Sequence, residues 1–337
     1  MVSAAHEREA PLLFLDGGTT HTRFTCVRAE QVLSHSEVRA GAGHAAPGQN
    51  AALREAVAVQ IAALEAELGC ALGGVYASGM IGSPSGLCEV PHIAAPAGLE
   101  ELAAAIVPVR LPDVWAHGAI CFVPGLKFAA GDGGVADMLR GEEAELMGAL
   151  TEEDAHKRLA FVHFGSHNKL MLVENGRIAR CVTTLSGELL WAAAHHTILR
   201  GSLAEPDGQP LDEEHVLLGC AEAARHGLTR ALFATRIHQL LEGASTAQAL
   251  AYLYGALTAA DFAAYAALLA APPDEWVLYG RDAFVQAFLA CAPRLAPGLA
   301  QDRPVRVIPF AQSEGLSVLG MRRLCARREA LGMKSGA

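Results

Sequence analysis

Five consecutive residues, Asp16-Gly17-Gly18-Thr19-Thr20, have the side-chain types that a main chain needs to wrap a run of phosphates. Phosphates lying against a backbone require residues without bulk, N–H groups turned inward and hydroxyls that donate hydrogen bonds. Gly17, Gly18, Thr19 and Thr20 supply these in order. Asp16, at the end of a short apolar run, is placed to hold a hydrated Mg2+ of the kind that accompanies a nucleoside triphosphate. Taken alone, the same residues also suit an ordinary Gly-Gly hairpin. A second turn, Gly165-Ser166-His167-Asn168-Lys169, repeats the design about 150 residues later. Two such turns facing one cleft would form a clasp for ATP, with Gly165, Ser166, His167 and Lys169 on the second side. No G-x-x-x-x-G-K-[ST] occurs, and no G-x-G-x-x-G opens a helix, so P-loop and dinucleotide-binding folds are not expected.

The elements around the turns read as strands. Residues 11–16 are an apolar run ending at an acid and two glycines, and residues 22–28 alternate as a return strand. Residues 51–68 have apolar positions at helical spacing and stop at Gly69. Residues 74–80 form another strand feeding a glycine-bearing loop. The segment 134–150 reads as a helix with an acidic first part. Strands follow at 159–164, 170–174 and 178–184, with a hairpin turn at Asn175-Gly176. The chain is then helical and alanine-rich to about 272, and it closes with strand-to-helix units at 276–280 and from 305. The two strand–turn–strand–strand units can be laid over each other, which predicts duplicated domains, 1–135 and 136–337, with a cleft between them.

Composition narrows the function. Of 337 residues, 52% are apolar and 18% charged, enough for a large core. A net charge of −10 without a basic run argues against nucleic-acid and membrane partners. Eight cysteines without a C-x-x-C pair read as reduced residues of a cytoplasmic protein. The first ten residues show no basic region followed by an apolar core, so no signal peptide is expected. His195-His196 cannot chelate one ion together, because neighbours on a helix point about 100° apart. Trp115, Trp191 and Trp276 are expected in the core.

The arrangement resembles the sugar kinase/actin-like ATPase superfamily, in which two ribonuclease-H-like α/β domains close on ATP. Within it the chain is most similar to the 2-dehydro-3-deoxygalactonokinase family. The likeness rests on Asp16-Gly-Gly-Thr-Thr-His-Thr-Arg23, Ala77-Ser-Gly-Met-Ile-Gly-Ser83, Val123-Pro-Gly125, Asp137-Met-Leu-Arg-Gly-Glu-Glu143, Gly165-Ser-His-Asn-Lys169 and Thr183-Thr-Leu-Ser-Gly-Glu-Leu189. These segments cover residues 12 to about 200. The resemblance implies phosphorylation of 2-dehydro-3-deoxy-D-galactonate on its 6-hydroxyl by ATP and Mg2+, a step of galactonate catabolism. It puts the adenosine side at Gly280, where Gly280-Arg281-Asp282 replaces the family's glycine followed by small hydroxyl residues. Phe164, Leu170 and Leu87 also depart from the family's usual Pro, aromatic and Trp.

Roles follow from what the reaction needs: a base near the acceptor hydroxyl, Mg2+ on the phosphates and donors toward the transferring group. Asp137 is the favoured base and Glu142 its close rival. Glu143 is expected at the substrate, with a solvated helix face as the plain alternative for Glu143 and Glu145. Arg23 and Arg140 could meet the acceptor's carboxylate bidentately, or form structural ion pairs. Ser78, Gly79 and Met80 resemble a sugar-contacting loop. Ser186, Gly187 and Glu188 would contact substrate or cap the following helix. The partners expected are the sugar acid and ATP, with a homodimer as the assembly considered. The competing readings are a kinase of a hexose, amino sugar or other sugar acid on the same fold, or a non-catalytic ATP-binding regulator.

Overall fold

The computed structural model describes residues 10–43, 46, 48–130, 136–205, 210–297 and 303–333. In chain order the strands are β1 (Leu12–Gly17), β2 (Thr22–Arg28), β3 (Gln31–Val38), β4 (Gly74–Gly79), β5 (Ile93–Ala94), β6 (Val107–Arg110), β7 (Ala119–Phe122), β8 (Leu126–Phe128), β9 (Asp137–Leu139), β10 (Arg158–Phe164), β11 (Asn168–Glu174), β12 (Arg177–Thr184), β13 (Glu275–Gly280) and β14 (Val305–Val307). The helices are α1 (Ala51–Leu68), α2 (Leu99–Ala104), α3 (Glu142–Ala149), α4 (Ser186–His196), α5 (Glu213–His226), α6 (Leu228–Leu241), α7 (Thr246–Tyr265), α8 (Asp282–Leu295), α9 (Phe310–Ser313) and α10 (Leu316–Ala330).

The two halves repeat one plan. The first sheet runs β3-β2-β1-β4-β7-β6 and the second β12-β11-β10-β13-β14. In each, an antiparallel three-strand meander is joined by parallel strands, β4 and β7 in one, β13 and β14 in the other. Even a register shift recurs, at Cys26/Val27 between β2 and β3 and at Leu172/Val173 between β11 and β12. This is the doubled ribonuclease-H-like architecture. The first sheet has six strands against five in the second, because β6 adds antiparallel to β7.

Both faces of the central strands β1, β4, β7, β10, β11 and β13 are buried, so these strands read as nearly unbroken apolar runs. Leu13 and Leu15 of β1 face α1, where Leu53, Val57, Ile61 and Leu64 form one helical stripe. Phe14 faces the other way, into a core shared with Phe161, Met171, Val277 and Tyr279 of the second sheet. Ala160, Val162 and Leu278 turn outward to α4–α8. Between the two sheets lie α2, α3 and α10. Although late in the chain, α10 packs on α3, α2, β1 and β4, and the expected boundary at 135/136 adjoins residues 131–135, which lie outside those described. Arg323 and Arg328 of α10 donate to carbonyls that end α3 and α2.

The α3–α10 crossing is glycine-dependent. A Cβ on Gly320 would stand 1.8 Å from Ala144 O, and one on Gly148 2.1 Å from Leu316 O. Gly320→Val is therefore expected to force the helices apart and cost about 1–3 kcal/mol of overpacking, read as a lower midpoint in thermal denaturation.

The helix expected over 134–150 begins only at Glu142. Asp137–Leu139 pair as a strand with β8, and Gly141, at φ 115°, makes the bend into α3. Residues 134 and 135 of that segment lie outside those described. Trp115 and Trp276 are buried as expected, but Trp191 is 51% exposed and stacks on His195. No helix among the described residues is long and apolar enough to cross a membrane.

Candidate active site

A cavity of about 870 Å3 opens between the sheets, at the carboxyl ends of β1, β4, β10 and β13. Each phosphate turn forms one side. At the first, Gly18 N–H donates to His21 O at 2.8 Å, closing the turn. Ala42 N–H donates to Gly18 O at 3.1 Å, and Gly43 N–H to Thr19 O at 2.7 Å. In a trans peptide the C=O and the next N–H point opposite ways. With these carbonyls held by residues 42 and 43, the N–H groups of Thr19 and Thr20 turn away from that brace, and both residues line the cavity. Only glycine fits the brace, since a Cβ on Gly41 would meet Thr19 O at 2.5 Å. Asn50 secures the assembly, capping α1 through Leu53 N–H and donating to Gly41 O and Ser85 O.

The second turn uses the same device. Arg281 N–H holds Phe164 O at 2.8 Å and Glu188 N–H holds Ser166 O at 2.8 Å, which turns the N–H groups of Gly165 and His167 the other way. Gly79 and Gly280 occupy matching places beside the turns, with φ of 81° and 102°. A Cβ on either would strike the carbonyl of Gly17 or Phe164, at 2.5 and 2.2 Å.

Of the residues expected at the site, Asp16, Gly17, Gly18, Thr19, Thr20, Arg23, Gly79, Met80, Asp137, Arg140, Glu142, Gly165, Ser166, His167, Lys169 and Gly280 line this one cavity. Five others do not. Ser78 is buried in β4. Glu143 is fully buried, its carboxyl accepting Gly141 N–H at 2.7 Å, so neither a substrate contact nor a solvated face describes it. Ser186 neither caps α4, whose N-cap is Leu185, nor reaches the cavity; its hydroxyl donates to the buried Asp261 of α7, which also accepts from Asn168. Gly187 lies against Gly165 O, and Glu188 pairs with His167 at 3.2 Å. Residues 186–188 thus brace the second turn from behind.

The acids fall into distinct environments. Asp137 has both oxygens occupied: Thr183 N–H donates at 2.7 Å, Thr183 Oγ1 at 3.0 Å and Met138 N–H at 2.7 Å. It ties β9 to the end of β12. Glu142 Oε1 lies 2.6 Å from Lys169 Nζ and 4.0 Å from His163 Nδ1. Burial alone would raise its pKa, but the Lys169 charge and then His163 hold the carboxyl below the usual range. Burial would likewise favour neutral Lys169, yet Glu142 keeps the ammonium protonated. His163 is driven down to about 4, mainly by burial. Asp16 is raised by burial, opposed by Arg23, whose Nη1 is 3.9 Å away. Arg23 also meets Glu37 at 2.8 Å and Glu314 at 3.7 Å.

Glu145 is pushed up to about 8 by burial, then by Glu142 and Asp16. A carboxyl raised from 4.5 to about 8 favours the folded state fully below pH 4.5, and that contribution is lost as pH rises toward 8. Glu145→Gln, fixed neutral, should therefore melt progressively higher than the parent as the pH of ligand-free protein goes from about 5 to about 8. An equal offset at both ends of the range would contradict this environment.

Sequence reasoning missed Ser83, His92, His163, Tyr279, Phe310 and Glu314, all on the cavity wall. Ser83 ends a motif notable for its glycines, and the plain alternative for Glu145, a solvated helix face, does not hold for a carboxyl on the cavity wall. His92 and Phe310 stand in no pattern, and only the fold brings them here.

A model of the family described as 2-keto-3-deoxy-galactonokinase matches residues 16–299. Among curated proteins, the "Probable 2-dehydro-3-deoxygalactonokinase DgoK1" of Rhizobium meliloti (strain 1021) is 33% identical over 187 residues, 55% of this chain and 59% of that protein. The aligned segment thus spans under two thirds of that relative's length. A Sinorhizobium meliloti crystal structure, provisionally named a 2-dehydro-3-deoxygalactonokinase, superposes with a TM-score of 0.73 at 24% identity, covering 95% of this chain and 99% of the other. That likeness shows the shared fold.

Proposed function

Because the chain belongs to the 2-keto-3-deoxy-galactonokinase family, we propose that it transfers the γ-phosphate of ATP to the 6-hydroxyl of 2-dehydro-3-deoxy-D-galactonate. The observation that carries this reading is the pair of braced turns whose N–H groups face one cavity from opposite sheets. Thr19, Thr20 and the backbone of Gly165 to His167 would hold the phosphates, with Gly280 and Arg281 on the nucleoside side. Asp16, Glu142 and Glu145 face the cavity against the cations Lys169 and Arg23, the latter shared with Glu37 and Glu314. The carboxylate crowding that pushes up Glu145 would be relieved by a divalent cation, and Asp16 would hold the water shell of Mg2+. Once bound, Mg2+ supplies charge neutralisation across the phosphates.

Glu142 is the base we favour. It is ionised, lines the cavity and accepts at Oε2 only the long 3.2 Å bond from Arg140 N–H, whereas Asp137 is tied by three donors, two of them at 2.7 Å. Lys169, beside both Glu142 and the second turn, is positioned to trade its partner for a phosphate oxygen. Arg140 is the better receptor for the acceptor's carboxylate, because Arg23 is already surrounded by Asp16, Glu37 and Glu314. All eight cysteines are unbridged, in keeping with a reducing cytoplasmic setting.

The test is ADP release with ATP and Mg2+ over a panel of 2-keto-3-deoxy sugar acids, neutral hexoses and amino sugars. Turnover on the acids supports the reading. Turnover confined to neutral sugars would transfer it to a hexose or amino-sugar kinase, and ATP binding without any turnover would favour a regulator.

A further inference from the structure

We infer that Ser83 and His92 form, with Arg140, a seat for the 2-oxo-carboxylate end of the acceptor. The inference takes from the proposed function only that the cavity holds a sugar acid.

Two donors on this wall lack partners. Ser83 is 5% exposed and its Oγ makes no hydrogen bond among the described residues; Arg140 Nη1 is buried and makes none among them either. Both residues line the cavity. They are neighbours: a Cβ on Gly82, the residue before Ser83, would lie 3.2 Å from Arg140 Nη1. Buried polar atoms without partners are few in folded proteins, and two beside one cavity point to a ligand that accepts hydrogen bonds. Among the described residues no carboxylate lies within ion-pair distance of Arg140, and Glu143 and Glu89 act on it only electrostatically. A 2-oxo acid presents three acceptor oxygens and no donor at that end, which matches a guanidinium that can only donate.

His92 fixes the direction. Arg140 Nη2 donates to Val90 O at 2.6 Å and meets His92 Nδ1 at 3.2 Å. A guanidinium cannot accept, so Nδ1 presents its lone pair, and the neutral ring carries its proton on Nε2. Burial, then the charges of Arg140 and Lys127, hold His92 below the ordinary histidine range. Gly125 leaves the ring its space, since a Cβ there would lie 2.6 Å from His92 Cδ2. His92 is thus a positioning residue acting through Arg140. Protonating it would set one cation against another, in a neighbourhood that also holds Lys127, Glu89 and Glu143.

The experiment measures KM for the sugar acid and for ATP across pH in the parent, Ser83→Ala, His92→Leu and His92→Asn. In parallel, 2-oxobutyrate, a fragment with the oxo, carboxylate and adjacent methylene, is titrated by NMR. Ser83→Ala and His92→Leu should raise KM for the acid about 5- to 100-fold, with kcat and KM for ATP changed less than about twofold. His92→Asn, whose amide oxygen can replace Nδ1, should restore the low KM and abolish the rise in KM that the parent shows toward acid pH. The parent should bind 2-oxobutyrate and Ser83→Ala should bind it more weakly. Unchanged KM for the acid in Ser83→Ala, or His92→Asn no better than His92→Leu, would overturn the inference. If the parent phosphorylates no sugar acid, the proposed function fails and the fragment alone decides: binding weakened by Ser83→Ala upholds the seat, and no binding to the parent removes it.

Discussion

Glu142→Gln is expected to lower kcat by about a hundred- to ten-thousand-fold while the protein still binds ATP, since that is the span general-base catalysis commonly supplies. Glutamine keeps the size of the side chain and the bond from Arg140 N–H, but it cannot take the proton of the acceptor hydroxyl. Asp137→Asn is the informative partner. Its amide would turn a donor toward Thr183 or Met138, which both donate already, so a stability loss of about 1–3 kcal/mol is expected with the larger part of kcat retained. Steady-state kinetics and thermal melts of the two variants separate these roles. Near-normal turnover in Glu142→Gln, with collapse in Asp137→Asn, would return the base to Asp137. In the parent, the acid limb of kcat/KM should lie low, because the charge of Lys169 holds Glu142 ionised against the opposing effect of burial.

The second large effect is expected at a residue that does not itself line the cavity. In Gly187→Ala the new methyl would stand 1.9 Å from Gly165 O and 2.9 Å from Ser166 O, both backbone atoms of the second turn. The turn cannot yield without moving the N–H groups of Gly165 and His167 that are proposed to hold the phosphates. Affinity for a non-hydrolysable ATP analogue should fall about tenfold or more, alongside about 1–3 kcal/mol of overpacking. Calorimetric titration reads the first and thermal denaturation the second. Gly201→Ala is the control, because nothing lies within 4 Å of a Cβ there and both quantities should stay put. Undiminished nucleotide affinity in Gly187→Ala would mean that the second turn does not hold phosphate.

What could be read from the chain was what local chemistry dictates. The apolar run 11–16, the glycines after it and the β-branched return at 22–28 specify a hairpin whatever surrounds them, and the second copy is just as local. The six-stranded first sheet was hidden because β6 and β7 are four residues each, too short for a period to stand out. The segment 137–150 misled by composition, since its acids suit a helix start while Gly141 at φ 115° makes a bend that delays it to Glu142. The site was legible as two turns and a set of acids. It could not be ranked by sequence, because whether a carboxylate is free or occupied depends on partners such as Thr183 for Asp137 and Lys169 for Glu142. Ser186-Gly187-Glu188 shows the same limit: its residues looked like ligand contacts, and only Asp261, Gly165 and His167 reveal a brace.

We propose that this cleft passes a phosphoryl group from ATP to the primary hydroxyl of a 2-oxo sugar acid. The most direct measurement is 31P NMR of the product formed from ATP, Mg2+ and 2-dehydro-3-deoxy-D-galactonate. The predicted result is a phosphate monoester resonance split by the two protons of an adjacent methylene, growing in step with ADP. Appearance of inorganic phosphate alone, or of an ester on a secondary or anomeric oxygen, would contradict it.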